Sequence, residues 1–303
     1  MPKPRTPSAA GIAGNASART ALFPTSRILS RMKTAWLIAN SMSSTTDEAV
    51  IADTARQIEA VGTSLVRQVD LSQEDLPHHP DNAPDVIISL GGDGTVNAVI
   101  EQYGTEDGPL LLVLPGGTMN LLARKLHGDA AIEEVIERAF ADGHEIELPL
   151  IEGPDIRSMV GVIAGPAAAW GDVREDLRRG ALNDLTDDIK TALSATFSDG
   201  GVRLRGNERN HSALFVEAGT DGLLAHDIQT ESLADLAQHG WAWLNRDFLG
   251  GPTEKLAKGD EIVIESDRDR LTLLVDGERC AAPAPLKLSW KPCPARLLAT
   301  LNS

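Results

Sequence analysis

Val86-Ile87-Ile88-Ser89-Leu90 runs directly into Gly91-Gly92-Asp93-Gly94-Thr95-Val96-Asn97, and the reading of the chain turns on this stretch. A short apolar run closed by glycines is a buried strand. Three glycines around one carboxylate make a turn whose backbone N–H groups can approach phosphate oxygens closely, and a helix beginning beyond it adds its positive dipole. A second element of the same kind follows. Leu110 to Leu114 is another apolar strand, ending in Pro115-Gly116-Gly117-Thr118-Met119-Asn120 and the amphipathic run Leu121-Leu122-Ala123-Arg124-Lys125-Leu126.

Two glycine loops at successive strand ends can share one ligand, and the spacing of the first half supports that geometry. Thr34 to Ala39 is a strand, and a helix runs from about Asp47 to Val61 with Val50, Ile51, Thr54, Ile58 and Val61 on one face. Thr45 and Glu48 form a capping box there, and Gly62 ends the helix. Strands at Ser64–Val69, Val86–Leu90 and Leu110–Leu114 alternate with helices from about Thr95, from Thr118 and over Ala130–Ala141. Repeated strand then helix gives a parallel sheet with covered faces, whose ligand crevice lies beyond the carboxyl ends of the strands. From about Glu145 the pattern changes. Short strand-like runs at 202–205, 213–217, 261–265, 271–275 and 286–290, with helical stretches at 173–196 and 231–245, describe a β-rich antiparallel second domain.

The chemistry expected of the loops is phosphate binding. Gly91, Gly92, Gly94 and Thr95 supply close backbone and N–H groups, Gly117 and Thr118 complete the site, and Asn97 and Asn120 hold loop backbone or nucleotide groups. Asp93 would repel phosphates, so it must bind Mg²⁺, order the turn by accepting N–H bonds, or deprotonate something.

Gly-Gly-Asp-Gly-Thr-x-Asn at 91–97, Pro-x-Gly-Thr-x-Asn at 115–120 (as Pro-Gly-Gly-Thr-Met-Asn), and a downstream strand Leu271-Thr272-Leu273-Leu274-Val275 ending in Asp276-Gly277-Glu278 resemble, in that order, the diacylglycerol kinase catalytic domain superfamily. The bacterial diacylglycerol kinase-like lipid kinases, related to sphingosine kinases, resemble it most. The resemblance implies an N-terminal α/β domain of the NAD kinase/phosphofructokinase type followed by an antiparallel β-sandwich-like domain, with ATP and Mg²⁺ as cofactors and a lipid hydroxyl as acceptor. It implies Glu278 as general base and Asp276 as its orienting or metal-linked partner, with the reverse assignment open. Thr220-Asp221-Gly222-Leu223-Leu224 resembles the family segment whose aspartate joins a Mg²⁺ site, which makes Asp221 a metal-ligand candidate. The expected organisation is a basic, disordered tail over 1–33, a nucleotide-binding domain over 34–146 and an acceptor domain over 147–303.

Charge and composition narrow the partners. The chain has 303 residues and a net charge of −16, and its first 33 residues carry six basic side chains and no acid, so the rest stands at −22. A body this acidic does not bind nucleic acid, which needs clustered Lys and Arg. It is not drawn to an anionic bilayer in bulk either, so a lipid acceptor calls for apolar insertion or the basic tail, as peripheral membrane contact at most. No apolar stretch approaches the roughly 18–20 residues of a spanning helix. Two cysteines, 280 and 293, fit neither a disulfide framework nor a zinc site, which suits a reducing cytoplasm. A homodimer is left open.

The chain departs from the family pattern in both halves, and the departures in the second, before Asp221 and at Val162-Ile163-Ala164-Gly165-Pro166, lie toward the acceptor. Asn40-Ser41-Met42-Ser43-Ser44 lacks the usual proline and glycine after the first strand, Ala98 stands where a glutamate is common, and only Glu217-Ala218-Gly219 separates the strand at 213–216 from Asp221. Two alternatives therefore accompany the lipid kinase reading: a non-catalytic nucleotide-binding or regulatory homologue, and an NAD kinase-like enzyme. The second is disfavoured by the Pro-Gly-Gly-Thr-Met-Asn loop and by the lack of a Leu-Gly-Phe segment.

Overall fold

Parallel strands covered on both faces are continuous apolar runs, and the first domain is built from three of them. The computed structural model describes residues 32–78, 83–165, 201–228 and 254–301. The tail expected over 1–33 lies outside these residues up to 31, as do the helices expected at 173–196 and 231–245. Strand β1 (Thr34–Ala39) leads to α1 (Glu48–Ala60) and β2 (Ser64–Asp70), then β3 (Val86–Gly91), α2 (Asp93–Tyr103), β4 (Leu110–Pro115), α3 (Leu121–His127), α4 (Ile132–Asp142) and β5 (His144–Ile146).

Helix α1 ends as its glycine dictates. Gly62 sits at φ +88° and its N–H reaches the Glu59 carbonyl, while Thr63 N–H reaches the Ile58 carbonyl, a Schellman closure. Its start differs from expectation. Asp47 is the N-cap, accepting the Val50 N–H at 2.9 Å, because the Thr45 hydroxyl is turned away to the Gly117 carbonyl. α2 begins two residues before the expected Thr95, with Gly92 as N-cap, and α3 begins three residues after the expected Thr118.

The second domain follows as β6 (Pro149–Gly153), β7 (Ile156–Ser158), β8 (Val162–Ala164), β9 (Val202–Leu204), β10 (Leu214–Gly219), β11 (Gly222–Asp227), β12 (Glu254–Gly259), β13 (Glu261–Ser266), β14 (Arg270–Val275), β15 (Glu278–Pro283) and β16 (Leu286–Pro292), and β17 (Leu297–Ala299) closes the chain. Two antiparallel sheets, β12-β11-β10-β8-β14-β15 and β7-β6-β16-β13-β9, enclose a core of Val162, Leu214, Val216, Leu223, Ile264, Leu273 and Leu288 among others. The fold class is thus the expected one, a parallel-sheet α/β domain followed by antiparallel sheets.

The chain does not divide cleanly at 146. β17 returns to the first sheet, whose order is β2-β1-β3-β4-β17-β5, parallel to β4 and antiparallel to β5. The Arg296 guanidinium fixes this return with a two-pronged bond to Glu145, at 2.6 and 2.8 Å, and a third bond to the Gly108 carbonyl. Helices α1 and α4 cover one face of this sheet through Ile51, Ile58, Val135, Ile136 and Ala139. α2 and α3 cover the other, and Leu150, Met159 and Cys293 of the second domain pack into that same cluster. The face carrying α2 and α3 is therefore where the domains meet.

Candidate active site

The loops that leave β1, β3 and β4 lie side by side at the carboxyl ends of three adjacent strands, where parallel sheets open a crevice. Their glycines are required first by one another. A Cβ on Gly117 would stand 2.4 Å from the Gly92 Cα, one on Gly116 2.6 Å from the Gly91 nitrogen, and one on Gly91 2.6 Å from the Thr95 hydroxyl. Side chains at any of these positions would force the loops apart. The loop after β1 completes the stack: Thr46 Oγ1 donates to the Gly116 carbonyl at 2.6 Å, Ser43 Oγ accepts the Gly92 N–H at 3.2 Å, and Ser44 Oγ meets Thr118 Oγ1 at 2.6 Å.

Each residue singled out in the two loops has a definite place. Asn120, at φ +52°, accepts the Gly117 N–H and donates back to the Gly117 carbonyl, so it shapes its own loop. The Gly92 and Gly117 N–H groups, expected to hold phosphate, are thus taken up by Ser43 and Asn120. Those of Gly94 and Thr95 lie in the first turn of α2, ahead of its first intrahelical bond from Val96, and keep their donors for a ligand. Gly91 is buried at the end of β3, Thr95 packs its side chain beneath it and accepts from Asn40 Nδ2, and Asn97 sits one turn further along α2. Gly91, Thr95, Asn97 and Asn120 lie outside the side chains and glycines that line the cleft; the first, second and fourth support its loops.

Asp93 accepts the N–H groups of Leu121 at 2.8 Å and Leu122 at 3.4 Å, both on Oδ1. A carboxylate from the first turn of one helix therefore caps the next helix and ties the two loops together. Burial pushes its carboxyl up to about 6, against the lowering effect of those two N–H bonds, and the negative charges of Asp276 and Glu278 add to the rise.

Asp276 and Gly277 form a two-residue hairpin turn between β14 and β15, both at positive φ, +45° and +85°, the geometry for which Asp-Gly is suited. Gly277 is seated against the second loop, since a Cβ there would lie 2.3 Å from Met119 Cε. The turn brings Glu278 across to the first loop, its Oε1 3.1 Å from where a Cβ on Gly94 would stand, with the side chain exposed to the cleft. The Asp276 carboxylate turns to the β7–β8 loop, so its link to Glu278 runs through the turn they share. It is buried there, accepting from Ser158 Oγ at 2.5 Å and from the N–H groups of Met159, Val160 and Gly161 at 3.0–3.1 Å. It anchors that loop.

Asp221 stands apart from the cleft. It lies in the exposed β10–β11 turn, paired with Lys258 Nζ at 2.6 Å, which holds its carboxyl below the usual range. Among the described residues no group of three or more His, Cys, Asp or Glu side chains could hold a metal ion.

The two loops and the hairpin turn thus line one cleft of about 240 Å³, with Ser43 and Ser44, Gly92, Asp93 and Gly94, Gly117, Thr118 and Met119, and Asp276, Gly277 and Glu278 on its walls. Ser43, Ser44 and Met119 were not among the expected site residues. The run of serines at the carboxyl end of β1 was the available signal for the first two. Among the described residues the walls carry three carboxylates and no Lys, Arg or His.

Residues 34–151 match the profile of the family described as diacylglycerol kinase catalytic domain, so the motif resemblance holds for the domain that carries both loops. Two crystal structures from Bacillus anthracis, one described as a diacylglycerol kinase, share the fold with a TM-score of 0.56 each, at 14% and 15% identity, over 88% of this chain and 97% of theirs. A structure of an NAD kinase from Archaeoglobus fulgidus in complex with ATP aligns over 89% of the chain with a TM-score of 0.43 and 12% identity. No curated protein matches the chain.

Proposed function

We propose that this chain is an ATP-dependent kinase that transfers a phosphoryl group to the hydroxyl of a lipid, of the diacylglycerol class or a related amphiphile. The observation that carries the reading is the convergence of Glu278 on Gly94: a solvent-accessible carboxylate from the second domain faces the free N–H groups at the start of α2. Phosphoryl transfer asks a protein to position donor and acceptor and to stabilise charge spread over phosphate oxygens. The Gly94 and Thr95 amides, with the α2 dipole behind them, are placed for the charge. The hydroxyls of Ser43, Ser44 and Thr118 are placed to fix the phosphate chain. Glu278 takes the proton from the acceptor hydroxyl as its oxygen bonds to the γ-phosphorus of ATP and the bond from that phosphorus to the β-phosphate oxygen breaks, releasing ADP, and Asp276 and Gly277 hold Glu278 over the loops.

The walls bear on the cation. Three carboxylates and no basic side chain repel a bare triphosphate, so a nucleotide enters with a divalent cation. Mg²⁺ suits this donor set, because it takes one or two carboxylates together with substrate phosphates and retains its waters. Asp93, through the oxygen that does not cap α3, is the residue that would hold it, which leaves Glu278 to the acceptor's proton, and the ion would supply the positive charge that the walls lack.

Among the described residues no helix is long and apolar enough to cross a membrane. A lipid acceptor would be met by peripheral contact, and Met42, 82% exposed beside Ser43, is an apolar contact at the rim. The test is transfer of label from γ-labelled ATP to lipid in mixed micelles with Mg²⁺. Label in the organic phase is expected. ATP binding without transfer to any lipid would overturn the reading and favour the non-catalytic, regulatory alternative.

A further inference from the structure

Lys125 belongs to no motif read from the sequence, yet it joins the two halves of the site. It lies on α3, one turn beyond the Leu121 N–H that Asp93 caps. Its Nζ donates to the Met159 carbonyl of the second domain at 2.8 Å. The N–H of that same residue is held by Asp276 at 3.1 Å. The β7–β8 loop is thus gripped from one side by an ammonium of the first domain and from the other by the carboxylate of the turn that carries Glu278.

Followed around, the contacts close a ring. Asp93 caps α3, α3 carries Lys125, Lys125 holds Met159, Met159 is held by Asp276, and two residues on Glu278 returns to Gly94, the neighbour of Asp93. The seat of Gly277 on Met119 is the other link between α3's entry and the turn, and it is van der Waals contact, which resists compression but not sliding. The bond from Lys125 is polar and directional. Burial lowers the pKa of its ammonium, against the raising effect of the negative charges of Asp276 and Glu217.

We propose that Lys125 is a positioning residue, whose bond to Met159 holds the Asp276-Gly277-Glu278 turn in register over the glycine loops. This rests on reading the cleft as a phosphoryl-transfer site. Loss of the bond displaces the acceptor side of the site and leaves the nucleotide side, built from β1, β3 and β4, as it is. A displacement of about 1 Å is enough to lower turnover by up to roughly 100-fold.

The full-length chain carrying Lys125→Met tests this by two independent readouts, steady-state transfer kinetics and amide hydrogen exchange over residues 158–161. Expected are a fall in kcat of about 10- to 100-fold with the KM for ATP within about twofold of wild type, faster exchange of the Met159, Val160 and Gly161 amides, and recovery of most of the kcat in Lys125→Arg. Lys125→Gln, neutral and polar, carries the same test if Lys125→Met does not fold. Wild-type kcat, unchanged exchange, or equal losses of kcat and ATP affinity would overturn the proposal. A wild-type chain that binds ATP and transfers nothing would overturn the kinase reading alone. The exchange measurement then decides the link by itself, faster exchange supporting it and unchanged exchange refuting it.

Discussion

Replacing Asp93 by asparagine should stabilise the fold while disabling the site. The carboxyl is partly buried between two loops, and its pKa stands at about 6 against an ordinary 3.8. Below pH 3.8 both folded and unfolded chains hold the proton, and the side chain makes no difference to stability. Between 3.8 and 6 the unfolded chain releases it and the folded chain does not, so folding becomes less favourable as pH rises. Above 6 the folded chain ionises as well, and the full penalty remains, about 3 kcal/mol at about 1.4 kcal/mol per unit. Asparagine keeps an Oδ1 for the Leu121 and Leu122 N–H groups but carries no charge. Asp93→Asn should therefore be more stable than wild type by about 2–3 kcal/mol at pH 8, or roughly 5 °C in melting temperature, with the gap closing toward pH 4. Urea titrations followed by tryptophan fluorescence at pH 4, 6 and 8 read this directly, and phosphoryl transfer by the variant should be lost. A gap that does not vary with pH, or a variant less stable than wild type at pH 8, would refute the reasoning.

Glu278→Gln should melt with the wild-type chain, since the side chain is exposed, and lose about 10²–10⁴ in transfer rate; full activity would remove Glu278 from the chemistry. Gly117→Ala forces a Cβ to 2.4 Å from the Gly92 Cα and should abolish nucleotide binding by calorimetry, whereas Gly94→Ala meets only the far end of Glu278 at 3.1 Å and should lower kcat more than ATP affinity. Removing the divalent cation with a chelator should weaken ATP binding by at least about 100-fold, since one unneutralised charge pair near 4 Å is worth about 4 kcal/mol at a surface-like dielectric, and equal affinity without metal would contradict the charge argument. His127 is buried with its pKa lowered to about 4, chiefly by desolvation. Its share of stability is present above pH 6.5 and is lost as pH falls toward 4, up to about 3 kcal/mol, a loss that His127→Leu should abolish in the same titrations.

The first domain was legible because its strands are buried on both faces and so read as unbroken apolar runs. Val86 to Leu90 and Leu110 to Leu114 each fall within one residue of the observed bounds. Much of the second domain was not, because its strands are short or half exposed. Glu254–Gly259 alternates lysines with weakly apolar residues, and Glu278–Pro283 is exposed along most of its length. β17 was invisible for a different reason: Leu297-Leu298-Ala299 is too short to announce a strand, and its place beside β4 depends on Arg296 meeting Glu145. Within the site, the glycines were found for their freedom to approach phosphate, but what they approach first is each other. The partners of Asp276 were not legible because Ser158 to Gly161 stand far upstream and carry no pattern.

One residue type does three separate things in this cleft, and the surroundings decide which. Asp276, met by a hydroxyl and three backbone N–H groups, three of the four on Oδ1, spends its charge on holding the β7–β8 loop. Asp93, met by two N–H groups on a single oxygen, is held less firmly, and its raised pKa records a charge that the protein alone does not balance. Glu278 is exposed and stands against Gly94, in the first turn of α2. The most open of the three is the one that stands over the N-terminus of α2, where phosphate charge would be received. A cleft that only joined two domains would gain from neutralising all three carboxylates or from replacing them with apolar groups. Leaving the last two short of partners makes sense where a cation and a phosphate chain arrive together to complete the set.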